Sequence, residues 1–243
     1  MKILQEHHDL MESQGFCVLE NVFPRVEMEA LASAIEGYQR RHHEEIARKG
    51  GTSGISWASQ ITFTSHLAEQ DAEIMGFCRR PELIAISTEF LGPDVDLYWN
   101  QSVYKMPEGN KEFPWHQDDG YTPVSPSPYL TLWLAINDAT EENGCISALP
   151  GSFKRGLLHH QQTPLGLACH SAEDPDQGVR VPVTAGSIAV FWSLTAHKSG
   201  ANCSHGIRKA YIIQYSKAGL ISLRTGARIE AVTPMTRNGH PAE

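Results

Sequence analysis

From Val95 onward the chain consists of short runs rich in aromatic and β-branched residues, separated by Gly, Pro and Asn clusters, with no helix-length amphipathic stretch between them. The clearest runs are Val95 to Met106, Tyr129 to Asn137, Ser187 to Trp192 and Arg208 to Ser216. A parallel sheet needs a helix-sized crossover between successive strands. Its absence here points to a closed or two-sheet β architecture. The first ninety or so residues follow a different pattern. Val26, Met28, Leu31, Ile35 and Tyr38 recur at helical spacing behind Pro24, and a second amphipathic helix runs from about Pro81 to Leu91, where Gly92-Pro93 stops it. Gly15 to Glu20 reads as a short strand ahead of the first helix. Between the helices, Gly50-Gly51-Thr52-Ser53-Gly54 breaks the pattern and opens a stretch with Trp57, Phe63 and His66, read as a surface loop or a lid.

At 243 residues, one domain is the expectation: a helical part over about 1–93, a β core over about 94–220 and a tail over about 221–243. From Thr233 the tail is polar, carries two prolines and reads as loose. Twenty Lys and Arg against 28 Asp and Glu leave a net charge of −8, and basic residues cluster no further than pairs such as Arg40-Arg41. Nucleic acid and anionic membranes are therefore excluded as partners. The first residues lack a signal-peptide core, and no apolar run approaches the ~20 residues of a membrane span, so a soluble, cytoplasmic protein is expected. Five scattered cysteines with no C-x-x-C pair read as reduced, mostly buried thiols. Oligomeric state is not indicated.

Chemistry enters with Trp115-His116-Gln117-Asp118. On a strand, His116 and Asp118 at i and i+2 project to one side while Gln117 turns away. H-x-D alone is common and equally fits a hydrogen-bonded surface pair. His197 follows the apolar strand Ile188 to Trp192, and eleven residues later Arg208 begins another apolar strand. Two histidines and a carboxylate on one face of a metal leave the opposite face open, the arrangement of non-haem Fe(II) centres that bind a co-substrate and O2 together. An arginine directed into a β interior is costly unless it meets an anion, and its planar fork suits a carboxylate, with Ser199 adding a hydroxyl donor. A 2-oxo dicarboxylate fits both ends. Thr131 and Trp133 share a strand face opposite Leu130, Leu132 and Leu134, so they are candidates for the pocket wall, although Trp133 equally suits core packing. Trp57, Phe63, Trp99 and Tyr121 are further candidates, with core packing the plainer role for each. Asp119 reads as a partner of a ligand or as an exposed acidic turn. The remaining histidines, among them His42, His43, His159 and His160, read as solvated or structurally bonded, and no H-E-x-x-H supports a zinc protease.

The ordered set Trp115-His116-Gln117-Asp118, Leu132 to Cys145, Leu149-Pro150-Gly151-Ser152-Phe153, and His197 with Ser199 and Arg208 resembles the phytanoyl-CoA dioxygenase family of Fe(II)- and 2-oxoglutarate-dependent oxygenases. Gly15 to Leu19 and Leu91-Gly92-Pro93 resemble its opening. The resemblance implies a mainly β fold with N-terminal helices around a double-stranded β-helix, a jelly-roll or cupin-like barrel. It implies His116, Asp118 and His197 as iron ligands, with Arg208 and Ser199 gripping the distal carboxylate of 2-oxoglutarate. Gln101 is similar to a co-substrate contact of the ectoine hydroxylase branch. The implied reaction is O2-dependent oxidation of a small-molecule C–H bond, with succinate and CO2 released. Two departures stand out. Phe153 replaces the histidine that many relatives have after Pro-Gly-Ser. Asp118 keeps the carboxylate that related halogenases replace with Ala or Gly, which favours hydroxylation over halogenation. A non-catalytic cupin-like binding protein is the alternative, but it gives no reason for Arg208; a Zn(II) hydrolase would need an acid or base near the metal that the sequence does not offer. Substrate identity is not legible, since one fold serves many chemistries; a small specialised metabolite is the expectation.

Overall fold

A computed structural model describes residues 2–107, 111–169 and 178–242. Four antiparallel strands, Val95–Lys105, Arg208–Lys217, Leu130–Ala135 and Ile188–Trp192, lie side by side at the centre of a large sheet. Their sequences alternate between two buried faces, which explains why they were legible. On one face, Leu130, Leu132, Leu134, Ile188, Val190, Tyr211 and Ile213 pack against the helices Arg25–Arg48, Ala72–Cys78 and Pro81–Leu91. Full burial of each such aliphatic side chain contributes about 1.5–3 kcal/mol. On the other face, Trp133, Ala135, Ala189, Phe191 and Ala210 meet a smaller sheet. That sheet has the order Val179–Val181, Ile146–Ala148, His197–Ser199, Phe113–His116. Two antiparallel sheets face to face, with helices on the outer side of the larger one, form the double-stranded β-helix, and the space between them opens at one end.

The edges of the large sheet depart from expectation. Phe16–Leu19 pairs with Ile188–Trp192, as an entry strand should. The Gly-rich stretch after the long helix is not a free loop: Thr52–Ser53, Ser56–Trp57 and Ile61–Ser65 extend the sheet beyond Val95–Lys105. The segment read as a loose tail is also ordered by pairing. Thr233–Arg237 adds to Val95–Lys105, and Arg237 is bonded to the buried Asp96 at 2.5 Å. Polar composition misleads there because a short edge strand needs only Met235 and Thr236 inside. Val26, placed on the core face by spacing, is exposed; Met28, Leu31 and Ile35 carry that face. Gly92 ends its helix at φ +96°, where glycine carries no steric penalty. No helix among the described residues is long and apolar enough to cross a membrane. The five cysteines form no disulfide, and four are buried.

Candidate metal centre

His116 ends one strand of the small sheet and His197 begins its neighbour, and antiparallel register sets them directly opposite each other. Their rings lie 4.2 Å apart between centroids. Each Nδ1 faces the backbone carbonyl two residues upstream, Pro114 O at 2.9 Å for His116 and Thr195 O at 3.0 Å for His197. A carbonyl only accepts, so Nδ1 carries the proton and Nε2 presents its lone pair to the cavity. Burial and the neighbouring His197 hold the His116 imidazole well below the ordinary histidine range, which keeps it neutral.

Asp118 comes to the same point by a route the alternation rule did not foresee. The strand stops at His116, and Asp118 opens a one-turn helix, Asp118–Tyr121. Its Oδ1 still lies 3.8 Å from both His116 Nε2 and His197 Nε2, and the three ligand atoms fall within 4.8 Å of one another. The other carboxylate oxygen sets its orientation: Oδ2 accepts from Thr131 Oγ1 at 2.7 Å and from Gln214 Nε2 at 2.9 Å. Gln117, between the ligands, is fully buried. Its amide donates to the carbonyls of Gly156 and Leu194 and accepts from Leu158 N, while its backbone N–H donates to His160 Nε2. A Cβ at Gly120 would meet that same His160 ring at 2.7 Å, so the turn closes only with glycine. Asp119, read as a partner of a ligand or an exposed acid, is neither: it is buried, accepts from Ser127 Oγ at 2.5 Å, and burial lifts its carboxyl to about 6.

The three ligand atoms face a cavity of about 350 Å³ lined also by Gln101, Thr131, Trp133, Ser199, Arg208 and Gln214. Arg208 is 1% exposed, its Nε and Nη1 have no hydrogen-bond partner, and its guanidinium lies 5.1 Å from the centre of the Trp133 ring. Desolvation lowers it to about 10, still charged at neutral pH. Buried donors of this kind call for an anion. Gln101 Oε1 accepts from Trp99 Nε1 at 3.2 Å and from Ser65 Oγ at 3.3 Å; because an indole can only donate, the amide orientation is settled and the NH2 group is turned away from these partners. The Thr131 hydroxyl is engaged by Asp118, and Trp133 supports Arg208. Beyond the ligands the wall is apolar and aromatic: Ile55, Ile61, Phe63, Trp99, Phe113 and Tyr121. Trp57 does not line it; its indole donates to Pro164 O and ties the edge hairpin to the turn between His160–Thr163 and Gly166–Cys169.

Two contributors were not foreseen: Gln214 and Lys105, the latter a buried lysine opposite Arg208. Gln214 stands six residues from Arg208 on one strand, so period-two counting could have placed both on the inner face. His160, read as solvated or structurally bonded, is structurally bonded, accepting from Gln117 N and facing Leu158 O with Nδ1.

Two imidazoles and one carboxylate converging on one side of a buried cavity, with an uncompensated arginine deeper in a double-stranded β-helix, define the class of non-haem iron centres that take a 2-oxo acid. A neutral-nitrogen and carboxylate donor set, together with orphaned cationic donors, fits both Fe(II) and 2-oxoglutarate. The profile of the phytanoyl-CoA dioxygenase (PhyH) family matches residues 11–210. Human peroxisomal phytanoyl-CoA dioxygenase is 25% identical over 230 residues, covering 88% of this chain and 68% of its own. A probable alpha-ketoglutarate-dependent hypophosphite dioxygenase of Stutzerimonas stutzeri is 29% identical over 148 residues, covering 58% and 51%. The fold is shared with the alpha-ketoglutarate-dependent carbocyclase SnoK of nogalamycin biosynthesis, at a TM-score of 0.75, 22% identity and coverage of 96% and 97%. The chain belongs to the phytanoyl-CoA dioxygenase family, and with it to the Fe(II)- and 2-oxoglutarate-dependent dioxygenases.

Proposed function

We propose that His116 Nε2, Asp118 Oδ1 and His197 Nε2 bind the iron, that Arg208 and Ser199 receive the distal carboxylate of 2-oxoglutarate, and that the enzyme hydroxylates an unactivated C–H bond of a small, largely apolar specialised metabolite. The observation that carries this reading is the buried, unpartnered Arg208 lining the same cavity as the convergent triad. When bound, iron and 2-oxoglutarate supply the O2-dependent oxidation, with succinate and CO2 released. The chain's residues do the rest. Thr131 and Gln214 hold the Asp118 carboxylate, the Pro114 and Thr195 carbonyls hold the imidazoles, and Trp133 supports Arg208. Gln101 turns its amide donors away from Trp99 and Ser65, which suits the oxo-acid end of the co-substrate. Phe63, Phe113, Trp99 and Tyr121 present a wall without a free carboxylate, which suits an uncharged substrate and excludes water from the reacting bond. Lys198 alternates with His197 and Ser199 on its strand, and its Nζ is paired with Glu112 at 3.0 Å and lies over the Trp115 ring. A cytoplasmic setting fits the five free thiols.

The test is anaerobic addition of 2-oxoglutarate to the Fe(II)-loaded protein, which should produce a visible charge-transfer band, followed by exposure to O2 with a panel of apolar metabolites and assay of succinate. Absence of both the band and succinate would refute the reading.

A further inference from the structure

We propose that Lys105 is a positioning residue for the dicarboxylate co-substrate, adding a second buried positive charge behind Arg208 and holding the Ser199 backbone in place. The proposal rests on the reading that Arg208 and Ser199 receive the distal carboxylate. Lys105 stands opposite Arg208 in the antiparallel pairing of Val95–Lys105 with Arg208–Lys217, on the strand face that also carries Gln101 and Val103 into the cavity. Both cations are 1% exposed. Lys105 Nζ donates to Ser199 O at 3.1 Å and to Gly200 O. These carbonyls satisfy its hydrogens but do not neutralise its charge. Among the described residues no carboxylate forms an ion pair with either Lys105 or Arg208, and Glu112, whose charge acts on Lys105, is paired with Lys198.

Two like charges buried side by side are costly, and burial together with Arg208 pulls the lysine well below its ordinary range; an anion held at Arg208 opposes that shift and favours the ammonium form, so the second charge is expressed when the carboxylate is bound. A lysine needed only to fasten the end of a strand could be replaced by a neutral donor; a second charge is useful where an anion must be drawn out of water. The carboxylate held by Arg208 would relieve the repulsion between the two cations, so the pair favours a 2-oxo acid with a distal carboxylate over one without. Through Ser199 O, the same lysine fixes the strand end that carries the Ser199 hydroxyl and, two residues earlier, His197.

The experiment measures Kd by calorimetry for 2-oxoglutarate and for 2-oxopentanoate, which has the same number of carbons but no distal carboxylate, on Mn(II)-loaded wild type, K105Q, K105M and R208M. K105Q retains a donor and removes the charge. The expected result for K105Q is about thirtyfold weaker 2-oxoglutarate binding, the scale of one charge about 8 Å away at an effective dielectric near 20, with 2-oxopentanoate and Mn(II) affinity within about twofold. K105M should show the same loss of discrimination, so either variant decides the matter if the other fails to fold. Equal weakening of both acids, or no weakening of either, would overturn the proposal and leave Lys105 a structural strut. If R208M leaves 2-oxoglutarate affinity unchanged, the underlying assignment of the carboxylate site fails instead.

Discussion

Replacing Thr131 with Val tests whether hydrogen bonds to the outer oxygen of Asp118 build the metal centre. Val matches Thr in shape, so the change removes one donor, the hydroxyl 2.7 Å from Asp118 Oδ2, from a position that is 1% exposed. The remaining donor, Gln214 Nε2, is 2.9 Å from the same oxygen and also 3.3 Å from Thr131 Oγ1, so the three groups form one small network. Loss of a group that orients a ligand costs about 10- to 100-fold in metal affinity, or roughly 1.4–2.7 kcal/mol. Thr131 borders the cavity, where water can substitute for the hydroxyl, and Gln214 stays in place; both put the expected loss near the lower end, about tenfold. The double variant T131V/Q214M leaves Oδ2 with neither donor and should cost more than the sum of the single changes, with a coupling of about 0.5–3 kcal/mol. The assay is anaerobic competition for Mn(II) or Fe(II) against a chelator of known affinity, with circular dichroism to establish that each variant folds. A folded T131V that binds metal as tightly as the wild type would refute the argument.

Three further outcomes follow from the geometry. R208M should raise the thermal midpoint of the metal-free protein or leave it unchanged, because it removes a buried, unpaired charge, while abolishing the stabilisation that added 2-oxoglutarate gives; a large destabilisation in differential scanning fluorimetry would show that Arg208 is held by the fold rather than kept for a ligand. G144A should destabilise by roughly 2–4 kcal/mol in chemical denaturation, since a Cβ there would sit 2.3 Å from Gly200 O at φ +83°; a cost below about 1 kcal/mol would mean that the adjoining strand end can move freely. Asp138 accepts from Ala185 N and from Arg25, in that order of effect, and its carboxyl lies below the ordinary aspartate value of 3.8. A depressed folded value stabilises above the unfolded one and is lost as pH falls through the folded one. The stability gap between wild type and D138N should therefore be present at pH 7 and close below about pH 3.8, and a gap that widens on acidification would contradict the assignment.

What the sequence made legible was whatever depends on a local period. Leu130, Leu132 and Leu134 face the helices while Thr131 and Trp133 face the cavity, because a strand between two packed layers buries both sides and alternation survives as a difference in residue type. Non-local register was not legible. That His197 lies directly opposite His116 follows from the pairing of two short strands about eighty residues apart, and no local rule contains it. Asp118 shows the same limit differently. Alternation placed it correctly for the wrong reason, since the strand ends at His116 and the carboxylate is aimed by Thr131 and Gln214 from two strands of the opposite sheet. The small sheet contributes the imidazoles and the large sheet orients the carboxylate, so the metal centre exists only when the two sheets are packed together. Disturbance of the core between them, at Phe191 or Ala210 for example, should thus reach the metal before it reaches the outer helices. The same dependence explains why Lys105 escaped notice: at the end of a strand a lysine reads as a solvated terminus, and only the pairing with Arg208 and the carbonyls of Ser199 and Gly200 bring it inside.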